Sequence, residues 1–234
     1  MSKPKVRTGI VGAGFAASFH IEAARRAHGA DVNVIGVHAR TDASTDSFAA
    51  KHGIKAFAEL DALLEQIDVL HVCIPPALHE PVAVQALQRG IFPIVEKPLT
   101  GYFGDGAPDF DGREASMTDA RTGALASIER MRAAEAASKA CILYAENWVY
   151  APTIQKEREI LEKTKGQILW MHGEEAHSGS HAPSYGHWNL AGGGAMIGKG
   201  CHPLTAALYL KKVEGRARFG QSIRPATVTA RAHA

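Results

Sequence analysis

The run Gly9-Ile10-Val11-Gly12-Ala13-Gly14-Phe15-Ala16-Ala17 sets G-x-G-x-x-A where a strand-like segment, residues 6–11, passes into a helical pattern starting at residue 15. Gly12 allows a tight turn, Gly14 lets a diphosphate approach the backbone, and Ala17 lets the helix pack close to a sheet. The helix N-terminus adds N–H groups and a partial positive charge, a natural seat for an anion. Alone the motif is weak. Opening the first strand–helix–strand unit of a longer alternating chain, it predicts a dinucleotide site.

The alternation continues. A helix over 15–28 is followed by strands at 32–37, weakly at 55–57, then at 68–74 and 91–95. Helices fall at 42–51 and from Pro81, the latter with Ala83, Ala86 and Leu87 on one face and Gly90 as its C-terminal cap. The 68–74 run is almost wholly apolar, as a strand covered on both faces requires. This cadence specifies an α/β fold with a doubly wound parallel sheet. Residues 101–115 are rich in Gly, Asp and Pro and read as a loop, with Asp105, Asp109 and Asp111 solvated rather than arranged around calcium. Ser116 with Asp119 signals a helix start, turning Ala124, Leu125, Ile128 and Met131 to the core. A strand at 141–145, a helix at 153–165, a strand at 168–172 and a pocket-forming loop over 174–200 follow, and 226–232 reads as the start of a sheet strand.

Composition removes several function classes. With 46% hydrophobic and 21% charged residues, the 234-residue chain is neither a disordered tail nor a coiled coil. A net charge of +2 without a basic stripe leaves no footprint for nucleic acid. No apolar run nears the ~20 residues that span a bilayer, and no signal-peptide core precedes the first strand. Cys73, Cys141 and Cys201 are too scattered for a disulfide scaffold, so a cytoplasmic location is expected.

Two further places carry chemistry. The second strand ends Val37-His38-Ala39-Arg40-Thr41, with no carboxylate before Asp42. A carboxylate there would hold the ribose hydroxyls of NAD and repel a 2′-phosphate, whereas an arginine attracts it. NADP is therefore slightly preferred over NAD, with Arg40 and Thr41 as contacts; the alternative is that Arg40 stacks on adenine and both dinucleotides bind. Glu96-Lys97-Pro98 closes the fifth strand at the sheet end where open α/β folds bind ligands. Lys97 can donate hydrogen bonds to a substrate oxygen and stabilise negative charge developing on it. Downstream, a glycine-rich stretch from Gly192 leads into a helix bearing His202.

In these residues the chain resembles the Gfo/Idh/MocA family, which includes glucose–fructose oxidoreductase and inositol dehydrogenase. The matches are the Gly12–Ala17 turn, Pro75-Pro76 with His79, Glu96-Lys97-Pro98, Glu146-Asn147-Trp148 with Pro152, and Gly192-Gly193-Gly194 through His202. The resemblance implies an N-terminal Rossmann domain, residues 1–147 with an insertion at 101–115, and an incomplete α+β open-sheet substrate domain, 148–234. It implies hydride transfer between NAD(P) and a secondary alcohol or ketone of a sugar, cyclitol or similar polyol. Lys97 and His202 would be the catalytic residues, His202 as general acid/base. Gly12, Gly14, Phe15, Ala17, Pro75, His79, Glu96 and Lys97, besides Arg40 and Thr41, would line the cofactor, and Asn147, His177 and Trp188 the substrate. A cis Lys97–Pro98 bond and homo-oligomeric assembly of the intact protein are also implied.

Three departures qualify that picture. The family's aspartate four residues before the histidine is here Gly198, with Glu174 or Glu175 as guessed replacements, so an impaired site stays open. The 101–115 insertion lies next to the catalytic lysine in sequence. The second domain is short, so a fragment or truncated reading frame is expected, leaving apolar surface uncovered. Clustered histidines, His177 and His181 among them, read as polar pocket residues, and no metal site is expected. His71 reads as a core residue, and His20 either lies near the cofactor cleft or sits on a helix surface. Cys201 and His202, adjacent on a helix and pointing ~100° apart, are not expected to form a nucleophilic pair. Two rival functions remain: a redox-assisted glycosidase or epimerase that recycles its cofactor, and a non-catalytic NAD(P)-sensing module.

Overall fold

The computed structural model describes residues 2–179 and 182–231. Chain contacts divide it into two compact units: residues 2–145 with 182–192, and residues 146–179 with 193–231. The first unit is discontinuous in sequence, and Trp188 lies in its returning segment.

The first unit is a six-stranded sheet, β1 (Lys5–Val11), β2 (Asp31–His38), β3 (Lys55–Ala56), β4 (Val69–Val72), β5 (Phe92–Glu96) and β6 (Leu143–Ala145), in the order β3-β2-β1-β4-β5-β6. Every neighbouring pair is parallel. The order reverses between β1 and β4, the switch point at which a crevice opens beyond the carboxyl ends of the strands. Helices α1 (Phe15–Arg25), α2 (Asp42–His52), α3 (Leu60–Leu64), α4 (His79–Gln88) and α5 (Met117–Ala136) connect the strands. Adjacent residues of β1 point to opposite faces and found two cores. Ile10 packs with Ala17, Ile21, Val37 and Phe48 beneath α1 and α2. Val11 packs with Leu63, Leu70, Val72, Ala86, Val95 and Met131 beneath α3, α4 and α5.

Local chemistry accounts for the helix limits. Ser116 Oγ accepts from Asp119 N and starts α5, and Gly53, with φ +64°, ends α2. Leu125 is half exposed, against expectation, because α5 turns Ser127, Ile128 and Met131 inward. The Thr100 and Ser127 hydroxyls meet at 2.8 Å in the interior. The 101–115 loop is folded rather than merely solvated: Tyr102 and Phe110 form an edge-to-face pair, and Tyr102 N donates to Gly192 O. A short helix, α7 (Trp188–Ala191), lies in the returning segment. A side chain at Gly112 would overlap the Trp188 indole. Asp105 accepts from Ala107 N and Asp111 pairs with Arg113.

The second unit is helical: α6 (Pro152–Thr164), α8 (Ala195–Gly198) and α9 (Cys201–Phe219). Leu161, Leu210 and Val213 form its core. Buried Glu214 accepts from Ile168 N and pairs with Lys211 and Arg218. The expected strand at 168–172 is absent, because that segment has no ladder partner and an isolated strand leaves its backbone groups unpaired. Leu169 and Trp170 there are exposed. Residues 226–231 likewise form no strand, and Ala232, like His181, lies outside the described residues. Among the described residues no helix is long and apolar enough to cross a membrane.

Candidate functional site

At the end of β1 the backbone turns at Gly12, with φ +105°. Gly12 N donates to His38 O, and Cys73 N donates to Val11 O, so the turn is clamped between β2 and β4. A Cβ on Gly12 would lie 2.1 Å from Cys73 O. Gly14, the N-cap of α1, has nothing within 4 Å of where a Cβ would stand, and it faces open space. The first turn of α1 carries no side-chain cap and no acidic residue. The backbone is open, the dipole positive and no carboxylate competes, so these residues fit a dinucleotide diphosphate. Phe15 is exposed beside this end and Ala17 is fully buried against the sheet.

Arg40 is exposed just beyond β2. The Thr41 hydroxyl caps α2, accepting from Ser44 N at 3.2 Å and meeting Ser44 Oγ at 2.8 Å. Pro75 starts the short turn that leads into α4. His79 is fully enclosed, with Nδ1 3.0 Å from Pro98 O and Nε2 2.9 Å from Ile74 O. Burial holds its pKa below the ordinary histidine value even though these carbonyls favour the protonated form. His79 therefore ties the Lys97-Pro98 segment to the end of β4.

Glu96 is similarly committed. Its Oε1 lies 3.0 Å from His20 Nε2 and its Oε2 accepts from Lys97 N at 3.0 Å. Burial, the largest influence, opposes ionisation of Glu96, but the His20 hydrogen bond, the His20 charge and the Lys97 N–H together hold its carboxyl below the usual range. His20 Nδ1 in turn lies 2.8 Å from His71 Nδ1. Burial first, and the neighbouring His20 second, push His71 down to about 3, so this imidazole is neutral. The chain Glu96–His20–His71 crosses β5, α1 and β4, fixing the backbone that presents Lys97. Its Nζ stands 5.8 Å from the centre of the Tyr185 ring. The Lys97–Pro98 bond is cis. The sequence marked Glu96 and Lys97 by their motif, but the histidines behind them meet only through the sheet order.

In the second unit His202, in the first turn of α9, points Nδ1 at Glu146 Oε1, 2.7 Å away. Glu146 is 2% exposed and also accepts from Trp148 N. Neither Glu174 nor Glu175 fills the place of the missing aspartate: the carboxylate on His202 is Glu146. A carboxylate on Nδ1 selects the tautomer that leaves Nε2 as the proton acceptor. Trp148 stacks on the His202 ring, centroids 5.8 Å apart. Asn147 is exposed beside it. His177 is exposed and its Nδ1 accepts from Gly179 N at 3.0 Å, closing a tight turn.

Residues 6–106 match the family profile described as an oxidoreductase family with an NAD-binding Rossmann fold. Among curated proteins the chain is 30% identical over 217 residues to dTDP-3,4-didehydro-2,6-dideoxy-alpha-D-glucose 3-reductase of Streptomyces antibioticus, covering 89% of this chain and 58% of the relative. It is 35% identical over 105 residues to inositol 2-dehydrogenase of Corynebacterium glutamicum, covering 43% of this chain and 30% of that protein. The crystal structure of GenD2 from gentamicin A biosynthesis, in complex with NAD, shares the fold at TM-score 0.64 and 23% identity, over 90% of this chain and 54% of that one. Where matches extend over most of the chain, it spans about half the length of the curated relatives, 58% and 52%. The match to the Gfo/Idh/MocA oxidoreductases, with their NAD-binding Rossmann fold, thus lies in residues 6–106.

Proposed function

We propose that this chain supplies the dinucleotide-binding unit and the proton-transfer histidine of an NAD(P)-dependent oxidoreductase. Its substrate class is a secondary alcohol or ketone on a sugar, nucleotide-linked sugar or cyclitol. The observation that carries the reading is the buried Glu146–His202 pair. It supplies an oriented acid/base despite glycine at position 198, and so argues against an impaired site or a mere sensor. The names of the relatives, a dTDP-sugar 3-reductase and an inositol 2-dehydrogenase, support the substrate class.

When bound, the nicotinamide supplies the hydride acceptor or donor. The residues of this chain do the rest. The N–H groups at Gly14 and Phe15 hold the diphosphate, with Pro75 bounding the site. Arg40 attracts a 2′-phosphate and, with no acid at the end of β2, favours NADP over NAD. Lys97 donates to the substrate oxygen and stabilises its developing charge. His202 Nε2 takes the hydroxyl proton during oxidation and returns it during reduction, and Glu146 stabilises the imidazolium that forms between. Asn147, His177 and Trp188 are assigned to substrate recognition, and Lys97 completes the cofactor's surroundings.

Parallel fluorescence titrations with NADPH and NADH test the first part. Tighter NADPH binding that reverses in Arg40→Asp supports the assignment; an unchanged preference refutes it. For the chemistry, Lys97→Met and Glu146→Gln should keep dinucleotide binding while turnover of a responding polyol or sugar falls by about 10²-fold or more. Turnover near wild type in either variant would overturn the role of the residue replaced.

A further inference from the structure

We propose that Glu146, Cys201 and His202 form a binding site for one divalent ion of the zinc class. One ligand atom from each of the three residues lies within 4.8 Å of the other two. Cys201 and His202 are consecutive, and on an ideal helix they would diverge. Both nonetheless bring a ligand atom to Glu146 from the first turn of α9, which Gly200 precedes as N-cap.

A second observation points to a ligand. Glu146 Oε1 serves both Trp148 N and His202 Nδ1, whereas Oε2 is buried without a hydrogen-bond partner among the described residues. An unsatisfied carboxylate oxygen in the interior is costly, and interior polar atoms are ordinarily paired. A cation bound through that oxygen removes the deficit.

The donor set chooses the metal. Thiolate, imidazole and carboxylate suit Zn²⁺ or Co²⁺, with the fourth tetrahedral position left to water. Ca²⁺ and Mg²⁺, which demand oxygen ligands, are excluded. Binding exchanges the Cys201 thiol proton for the metal, and the Nδ1–Oε1 hydrogen bond opens to admit it. Thiolate and carboxylate then neutralise the dication while the imidazole stays neutral, so the interior carries no net charge. If His202 is the acid/base proposed above, and this clause alone rests on that reading, the ion takes the imidazole out of catalysis and is a reversible inhibitor.

The test is titration of the reduced, full 234-residue chain with Co²⁺. The expected result is a thiolate-to-cobalt charge-transfer band saturating at one equivalent and abolished by Zn²⁺. Cys141→Ser should retain the band, and Cys201→Ser should lose it. A second readout needs no variant: saturating Zn²⁺ should slow alkylation of Cys201 by iodoacetamide, read by peptide mass spectrometry, and leave exposed Cys141 unaffected. Absence of the band, its survival in Cys201→Ser, or alkylation of Cys201 indifferent to Zn²⁺ would each overturn the site. Neither readout involves dinucleotide or turnover, so its failure leaves the oxidoreductase reading standing, and failure of the NADPH titration leaves the metal site standing.

Discussion

Replacing Gly12 and Gly14 separately by alanine should divide folding from dinucleotide binding, although the two residues are neighbours in one motif. At Gly12 a methyl group meets two obstacles. The φ of +105° places an L-residue in a region costing about 1–2 kcal/mol. The Cys73 carbonyl, 2.1 Å from the new carbon, cannot yield without loosening the bonds from Gly12 N to His38 O and from Cys73 N to Val11 O. Those add about 1 kcal/mol each. The sum, about 3–4 kcal/mol, is a large part of the 5–15 kcal/mol typical of a domain. With a urea slope of about 2 kcal/mol/M, the midpoint of unfolding followed by circular dichroism should fall by about 1.5–2 M. Gly14→Ala should cost no more than about 1 kcal/mol, since the backbone there is ordinary for alanine and the space is open. It fills the approach to the α1 N-terminus, so it should weaken NADPH binding while leaving the urea midpoint nearly unmoved. A Gly12→Ala chain as stable as wild type, or a Gly14→Ala chain that binds NADPH unchanged, would refute the reasoning.

Other outcomes follow from the packing. The native state holds His71 neutral down to about pH 3, while the unfolded chain protonates it near 6.5, so the unfolded state binds the extra proton across that window. Stability should fall with falling pH there by up to about 1.4 kcal/mol per unit, and His71→Asn should flatten the dependence of urea midpoints between about pH 7 and about pH 4.5; coincident slopes would contradict the burial argument. Leu70→Ala, at a fully buried position of β4, should cost about 2–5 kcal/mol in the same assay. Gly112→Val should shift tryptophan emission to the red, because a side chain there displaces the Trp188 indole; an unchanged spectrum would show that the loop does not pack on it.

What the sequence disclosed is what depends on few neighbours. The Gly12–Ala17 turn, the apolar run of β4 and the Glu96-Lys97-Pro98 corner are each set by contiguous residues, and the strand–helix cadence needs no long-range contact to be read. Glu146 and His202 are 56 positions apart, and nothing periodic joins them. Glu174 and Glu175, nearer in sequence, are the more natural choice, and geometry passes them over. The 168–172 segment has the residues of a strand, but a strand exists only with a partner to accept its ladder. Thr41 and His79 show the converse. Polar side chains near a ligand site can be occupied by the scaffold, Thr41 as a helix cap and His79 as a tie between two loops.

The path of the backbone through the first unit also bears on how the molecule is made. Synthesis completes all six strands by residue 145, yet the pieces that cover the 101–115 loop, Trp188 against Gly112 and Gly192 against Phe103 and Gly101, come only with residues 182–192. At 5–20 residues per second, the ribosome takes about 4–16 s to advance from Gly112 to Gly192. Throughout that interval the 101–115 loop lacks these contacts. The loop acquires its packing partners only when the α7 segment folds back onto it.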